Sequence, residues 1–315
     1  MTMPIFRNVF HNCLFCYSLP KIIIGILNKL LINLILIKKI QKEDKMEISD
    51  IIRDAFYYPI DNYKRWFMIA VVYAILLFIS QFGSYMSVNY LAGNTSIIII
   101  TLLVSVIIQL ILSGFMVSIS KTTLNKNDTI PKFNLEKDLL NGIKKVIITI
   151  FYVLIAIIIT LILAIPLGLY SNIAKVTSIL SSMPSNYPTF FVLQSIPPET
   201  FKALEFSLGS VMVLFGVLLI VVSIFLFLAQ VSLAETESIM AGCNIKALFN
   251  KMRRIGLGKF LTCLVMYAII MFISLVLGMF VVVIPIYGVY IYYFIIVSFT
   301  SIFSARLAAL IYMEG

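Results

Sequence analysis

Residues 146–165 read VIITIFYVLIAIIITLILAI, twenty positions without a single Asp, Glu, Lys or Arg. The hydrocarbon core of a bilayer is about 30 Å thick and takes roughly twenty residues of helix to cross. Lys144-Lys145 closes the run on one side, and Pro166-Leu167-Gly168 marks its other end. In lipid a segment must satisfy its own backbone hydrogen bonds, so the stretch reads as a transmembrane helix.

Working outward, six such runs are found, at about 67–91, 96–120, 146–170, 206–233, 260–284 and 287–311. They account for a composition that is 61% hydrophobic and only 12% charged. A soluble domain is nearer half apolar and a quarter charged. The ten-residue alternating segments of a membrane β-barrel are absent. The expected fold class is all-α: a polytopic transmembrane bundle of six spans. Intrinsic disorder and a soluble enzyme are excluded as descriptions of the whole chain.

The loops alternate in charge. Segment 46–66 carries Arg53, Lys64 and Arg65, and loop 92–95 carries no charge. Loop 121–145 carries Lys121, Lys126, Lys132, Lys137, Lys144 and Lys145, whereas loop 171–205 has only Lys175 and Lys202. Loop 234–259 carries Lys246, Lys251, Arg253, Arg254 and Lys259, and the turn at 285–287 carries none. The positive-inside rule therefore predicts a multi-pass protein of the cell membrane with both termini cytoplasmic. Aromatics agree: Tyr57, Tyr58, Tyr63 and Trp66 cluster at the predicted inner interface, and Tyr287, Tyr290, Tyr292 and Tyr293 at the outer one.

Short amphipathic stretches precede the three outward-going spans. They are Ile48, Ile51, Ile52, Ala55 and Phe56; then Leu135, Leu139 and Ile143; then Ile245, Leu248, Phe249 and Met252, the last with Lys246, Lys251, Arg253 and Arg254 opposite. Such pieces are predicted to lie in the headgroup plane as interfacial elbow helices. On the outer side, residues 171–183 have helical spacing (Ile173, Val176, Ile179, Leu180), and the loop beyond holds Pro184 and Pro188. Pro197-Pro198-Glu199 fits the first turn of the helix that becomes span four.

Ionisable groups within spans mark functional sites. Arg306 is the clear one here; it can snorkel to the interface or pair with Glu235 or Glu237 just beyond span four. Gln109 and Gln230, with Gln81 and Asn89, are the uncharged polar groups in or at the spans, and such groups form interhelical hydrogen bonds. Arg306, Glu235, Glu237, Gln109 and Gln230 make up the candidate intramembrane polar site. Ser274-x-x-x-Gly278 in span five is a small-x-x-x-small contact, and Pro166 with Gly168 predicts a kink near the end of span three.

Nothing points to bound chemistry. No nucleophile–base pair, paired intramembrane carboxylates or metal cluster is visible, so no catalytic residue, cofactor or metal is assigned. Gly256-Leu257-Gly258-Lys259 lacks the spacing and the final Ser/Thr of a phosphate loop. His11-Asn12-Cys13-Leu14-Phe15-Cys16 holds a C-x-x-C, but His11 is the sole histidine and zinc needs four ligands. The remaining cysteines, Cys243 and Cys263, lie in a predicted inner loop and in a span, which does not favour a disulfide.

The net charge is +10, half of it from residues 1–45, which hold seven basic and two acidic residues. Their apolar stretch, 22–37, is interrupted by Asn28, Lys29 and Asn33 and falls short of a span. Met46 opens a well-formed segment, so 1–45 reads as an over-extended gene start; the rival reading is an amphipathic N-terminal anchor. Residues 46–315 form a single six-helix transmembrane domain.

The region 46–312 resembles a family of archaeal integral membrane proteins classed as a domain of unknown function. The resemblance rests on Tyr58-Pro59-Ile60-Asp61-Asn62-Tyr63-Lys64-Arg65-Trp66, on Gly114-Phe115, on Thr122-Thr123-Leu124 with Asp128-Thr129-Ile130-Pro131-Lys132-Phe133, and on Asn141-Gly142-Ile143-Lys144. Asn141 stands where the family carries Asp. The resemblance implies no activity or ligand.

The function expected is that of a non-enzymatic integral membrane protein that organises lipid or a membrane partner. The alternative is a permease for a small solute or lipid-related molecule. The expected partners are anionic headgroups at the cytoplasmic face and a membrane protein. No nucleic-acid partner is expected, because no basic cluster sits on a soluble domain.

Overall fold

The computed structural model describes residues 46–89, 95–182, 196–285 and 287–315. Residues 1–45, including the C-x-x-C, and the stretch with Pro184 and Pro188 lie outside them. The chain divides into two compact units, Met1–Asp54 and Ala55–Gly315. Of the first, residues 46–54 are described, and they open the helix α1 (Ile48–Asp61).

The described secondary structure is helical. Asn62 separates α1 from α2 (Tyr63–Asn89), and α3 (Thr95–Leu124) follows. Next come α4 (Leu135–Leu163), α5 (Leu169–Ser181) and α6 (Pro198–Thr236). Two short helices, α7 (Ile239–Cys243) and α8 (Ile245–Ile255), lead into α9 (Leu257–Val282). The last passage is composite: α10 (Gly288–Ile291), a π-helical stretch Tyr292–Val297, and α11 (Ser298–Met313). Six of these passages are long and apolar enough to cross a membrane, the architecture of a multi-pass membrane protein.

The boundaries follow from local chemistry. Asn134 caps α4: its Oδ1 accepts from the Lys137 amide at 3.1 Å. Asp138 returns the favour, accepting from the Asn134 amide at 2.9 Å, so two otherwise orphaned donors are satisfied. Asn244 caps α8 in the same way, accepting from Ala247 N at 3.0 Å. α6 begins at Pro198 with Glu199 in its first turn, as the sequence predicts. The predicted kink at Pro166 and Gly168 is instead a full break. α4 stops at Leu163, and Gly168, at φ +74°, takes a left-handed conformation that opens α5.

The second predicted elbow is not a separate helix. From its Asn134 cap, α4 runs unbroken through 135–163, because nothing interrupts the helix there. Along its first turns Leu135 and Ile143 are exposed, while Asp138, Asn141 and Gly142 are buried. The reason is the crossing with α3. A Cβ on Gly114 would lie 2.5 Å from the Gly142 nitrogen and well inside contact distance of the Asp138 carbonyl oxygen. Small residues let the two backbones approach this closely, and the polar neighbours are drawn in with them. Gly278 plays a similar part in α9, but its neighbour is the Tyr292 ring, whose Cδ2 would lie 2.8 Å from an added Cβ.

Packing is graded along the bundle. At one end, Leu228–Ala234 of α6 (Gln230 excepted), Phe115–Ser120 of α3 (Ser118 excepted) and most of α11 are buried. Tyr58, Ile69, Leu112, Phe115, Met116, Ile119, Ile130, Ile302 and Ala305 form the core cluster there. Toward the other end, side chains such as Ile99, Leu102, Ile162, Phe206, Val213 and Phe280 are exposed. The buried end is also where the lysine-rich loops attach, and we call it the basic end. α11 is its central element, and α2 is tied to it by Trp66 Nε1 donating to Ser298 Oγ and Tyr73 Oη donating to Ser301 Oγ, both at 2.9 Å.

Candidate functional site

The polar residues predicted within the spans do not meet at one point. Gln109 is exposed on α3. Gln230 is half-buried and donates to Ser120 Oγ at 3.3 Å; Ser120 in turn donates to the Ala305 carbonyl at 3.1 Å. That network locks α6, α3 and α11 together.

Arg306 is 3% exposed. Among the described residues it pairs with Asp128 and not with Glu235 or Glu237. Its Nη2 donates to Asp128 Oδ1 at 2.6 Å, and its Nη1 donates to the Asn127 carbonyl at 3.1 Å and to Thr123 Oγ1 at 3.4 Å. The guanidinium also lies 4.5 Å from the centre of the Tyr58 ring. The loop between α3 and α4 therefore folds back over the end of α11. Asn62 holds the same loop from the other side: its Nδ2 donates to the Asp128 carbonyl at 2.9 Å, and its Oδ1 accepts from Ile130 N at 3.2 Å. Tyr58 and Asn62 belong to the opening motif of the sequence, whose role is thus to anchor that loop.

The two glutamates have other partners. Glu235 accepts from Tyr312 Oη at 2.7 Å, and Lys251 Nζ sits 4.2 Å over the same Tyr312 ring. Burial holds the Lys251 amine below the usual lysine range, with Glu235 acting against it. Glu237 ends α6 in a left-handed conformation, φ +55°. Its carboxylate bonds Lys121 and lies 3.9 Å from Lys137, and its carbonyl accepts from Lys144 Nζ at 2.9 Å. The hydrogen bond from Lys121, with the neighbouring lysine charges, holds the Glu237 carboxyl below its ordinary value.

Sequence reasoning missed Asp128, Asp138, Thr123 and Lys121 as members of these networks. For Asp138 a signal existed: Asn134 followed by Glu136 and Asp138 is a helix start. For Asp128 there was none, since its partner lies 178 residues away.

Two cavities open at the basic end. One, of about 380 Å³, is lined among others by Lys121, Asn125, Glu235, Lys251 and Tyr312. The other, of about 260 Å³, is lined by residues including Lys121, Asn125, Lys132 and Lys137. Lys121 and Asn125 stand on the wall between them.

A helical bundle of six membrane-spanning passages, tightly packed and basic at one end, defines the class: an integral, multi-pass membrane protein. Residues 97–283 match the family described as "Protein of unknown function (DUF4013)", and the chain belongs to that family. The match takes in Gly114, the α3–α4 loop and Gly142, and leaves the Tyr58–Trp66 motif outside it. No curated protein and no solved structure matches the chain.

Proposed function

We propose that the protein is a non-enzymatic membrane organiser whose basic end meets anionic headgroups, or a membrane partner, on the cytoplasmic side of the cell membrane. The observation that carries this reading is the coincidence of close packing and positive charge at one end of the bundle. The end where α3, α4, α6 and α11 are buried against one another is also the end that bears Lys121, Lys132, Lys137, Lys144, Lys246, Arg253 and Arg254. Exposed basic residues within a Debye length of an anionic surface attract it by about 1 kcal/mol each. α8 suits that surface: Leu248, Met252 and Ile255 are buried, while Lys246, Arg253 and Arg254 are exposed. The separation of Gln109 from Gln230 and Arg306 withdraws the support a permease would draw from a shared polar pathway.

Two measurements test the reading. The protein extracted together with its annular lipid is expected to be enriched in anionic species, and Lys246→Gln, Arg253→Gln and Arg254→Gln together should lower the enrichment. A tag placed after Gly315 should be protected from protease added to intact spheroplasts. Equal lipid composition in both proteins, or a cleaved tag, defeats the proposal.

A further inference from the structure

The smaller cavity has a distinctive charge balance. It lies between the end of α3, the loop 125–134 and the first turn of α4. Lys121, Lys132 and Lys137 line it, one from each element, beside Thr122 and Asn125. The acid on its wall is Asp138, which is 1% exposed. Both of its oxygens are already engaged, Oδ1 by Ser118 Oγ at 2.6 Å and Oδ2 by the Asn134 amide at 2.9 Å. Its charge is spent on the helix start, leaving three ammonium groups around one concavity.

Glu237 answers part of that charge from outside. It bonds Lys121 and lies 3.9 Å from Lys137, but it reaches them from a left-handed backbone that a non-glycine residue adopts at a cost. Lys132 makes no ion pair or hydrogen bond among the described residues. One carboxylate thus serves two of three lysines, where a group with more negative oxygens could serve all three.

We propose that this cavity binds a phosphate group, carried by a lipid headgroup or free in solution, and that the Glu237 carboxylate is its built-in competitor. Lysine ammonium groups bind phosphate as mobile point charges, and several together offset its desolvation. The headgroup form of the proposal rests on the basic end facing anionic lipid; the free-phosphate form does not. Entry of the phosphate transfers Lys121 and Lys137 from Glu237 to the ligand and frees the end of α6, so occupancy of the cavity is coupled to the α6–α7 junction.

The test uses the full chain in nanodiscs, with binding followed by phosphorus NMR line broadening and by thermal stabilisation. One arm contains phosphatidylglycerol in a phosphatidylcholine background. The other contains phosphatidylcholine alone, with inorganic phosphate titrated in. Saturable binding in the first arm identifies the headgroup as ligand, and in the second the free anion. Lys132→Gln and Lys137→Gln should each weaken binding roughly fivefold. Glu237→Gln should tighten it, a gain that loss of a merely structural contact would not produce. Lys132 is exposed and without described partners, so its substitution leaves folding intact. Binding in neither arm, unchanged affinity in the Lys132 and Lys137 variants, or no tightening in Glu237→Gln overturns the proposal. Anionic lipid enrichment that depends on Arg253 and Arg254 but not on Lys132, with no saturable binding of inorganic phosphate, would do the same while leaving the membrane-organising role in place.

Discussion

Gly114 and Gly142 face each other where α3 crosses α4, and neither has room for a methyl group. A Cβ on Gly114 would meet the Asp138 carbonyl and the Gly142 nitrogen; one on Gly142 would meet the Leu110 carbonyl. All of these are backbone atoms, so relief requires moving a whole helix. Gly114→Ala or Gly142→Ala should therefore cost roughly 1–3 kcal/mol and lower the melting temperature of the purified protein. Gly209, within α6, has nothing within 4 Å of its Cβ direction. Gly209→Ala should be neutral or slightly stabilising, as expected for alanine over glycine in a helix. Equal effects at the three positions would refute the account of the crossing.

Arg306 is the pin that closes the α3–α4 loop over α11. Arg306→Ala removes a buried guanidinium from Asp128, the Asn127 carbonyl, Thr123 and the Tyr58 ring, and should cost about 2–4 kcal/mol. Arg306→Lys should recover little of this, because an ammonium lacks the planar fork that reaches several acceptors at once. Amide hydrogen exchange in residues 125–134 is the direct readout: it should accelerate in both variants. Exchange as slow as in the unsubstituted protein would mean the loop is held by something else.

Glu237 predicts a dependence on pH. Its carboxyl is held below the ordinary value, chiefly by the Lys121 hydrogen bond. The folded form thus binds the proton more weakly than the unfolded chain. The contribution to stability is fully present above the ordinary carboxylate value of about 4.3 and is lost as the pH falls through the depressed one. Carboxyl NMR of labelled glutamate should show the Glu237 carboxyl titrating below its ordinary value. Lys121→Gln should move that midpoint upward toward the ordinary range.

Lys251 shifts in the opposite sense for the opposite charge. Burial disfavours its ammonium form, and Glu235 partly compensates. Lys251 should consequently acylate at a lower pH than an ordinary lysine amine, as mass spectrometry of a limited amine-labelling series can measure. Glu235→Gln should lower the Lys251 midpoint further. A Lys251 midpoint at or above the ordinary lysine value would contradict the assignment.

The six spans were legible because their cause is local. Long apolar runs and internally satisfied backbone hydrogen bonds depend on neighbours along the chain, as do the caps at Asn134 and Asn244 and the proline start of α6. The resemblance likewise pointed to Gly114 and Gly142 without saying that they touch. What the sequence could not supply was any relation between distant segments. Sequence spacing marks Arg306 as an ionisable group within a span and offers it the interface or the nearest acids beyond span four. The structure chose Asp128, because Asn62 and Tyr58 fold the α3–α4 loop across α11. Leu135, Leu139 and Ile143 read as the apolar face of a separate elbow helix, yet α4 runs through them unbroken, and the glycine crossing turns Asp138 and Asn141 inward. Hydropathy and charge alternation are sums over local residues and survive without a fold. Pairing, burial of one helix face over another, and the lysine cavity depend on helix rotation and close approach, which only the packed bundle decides.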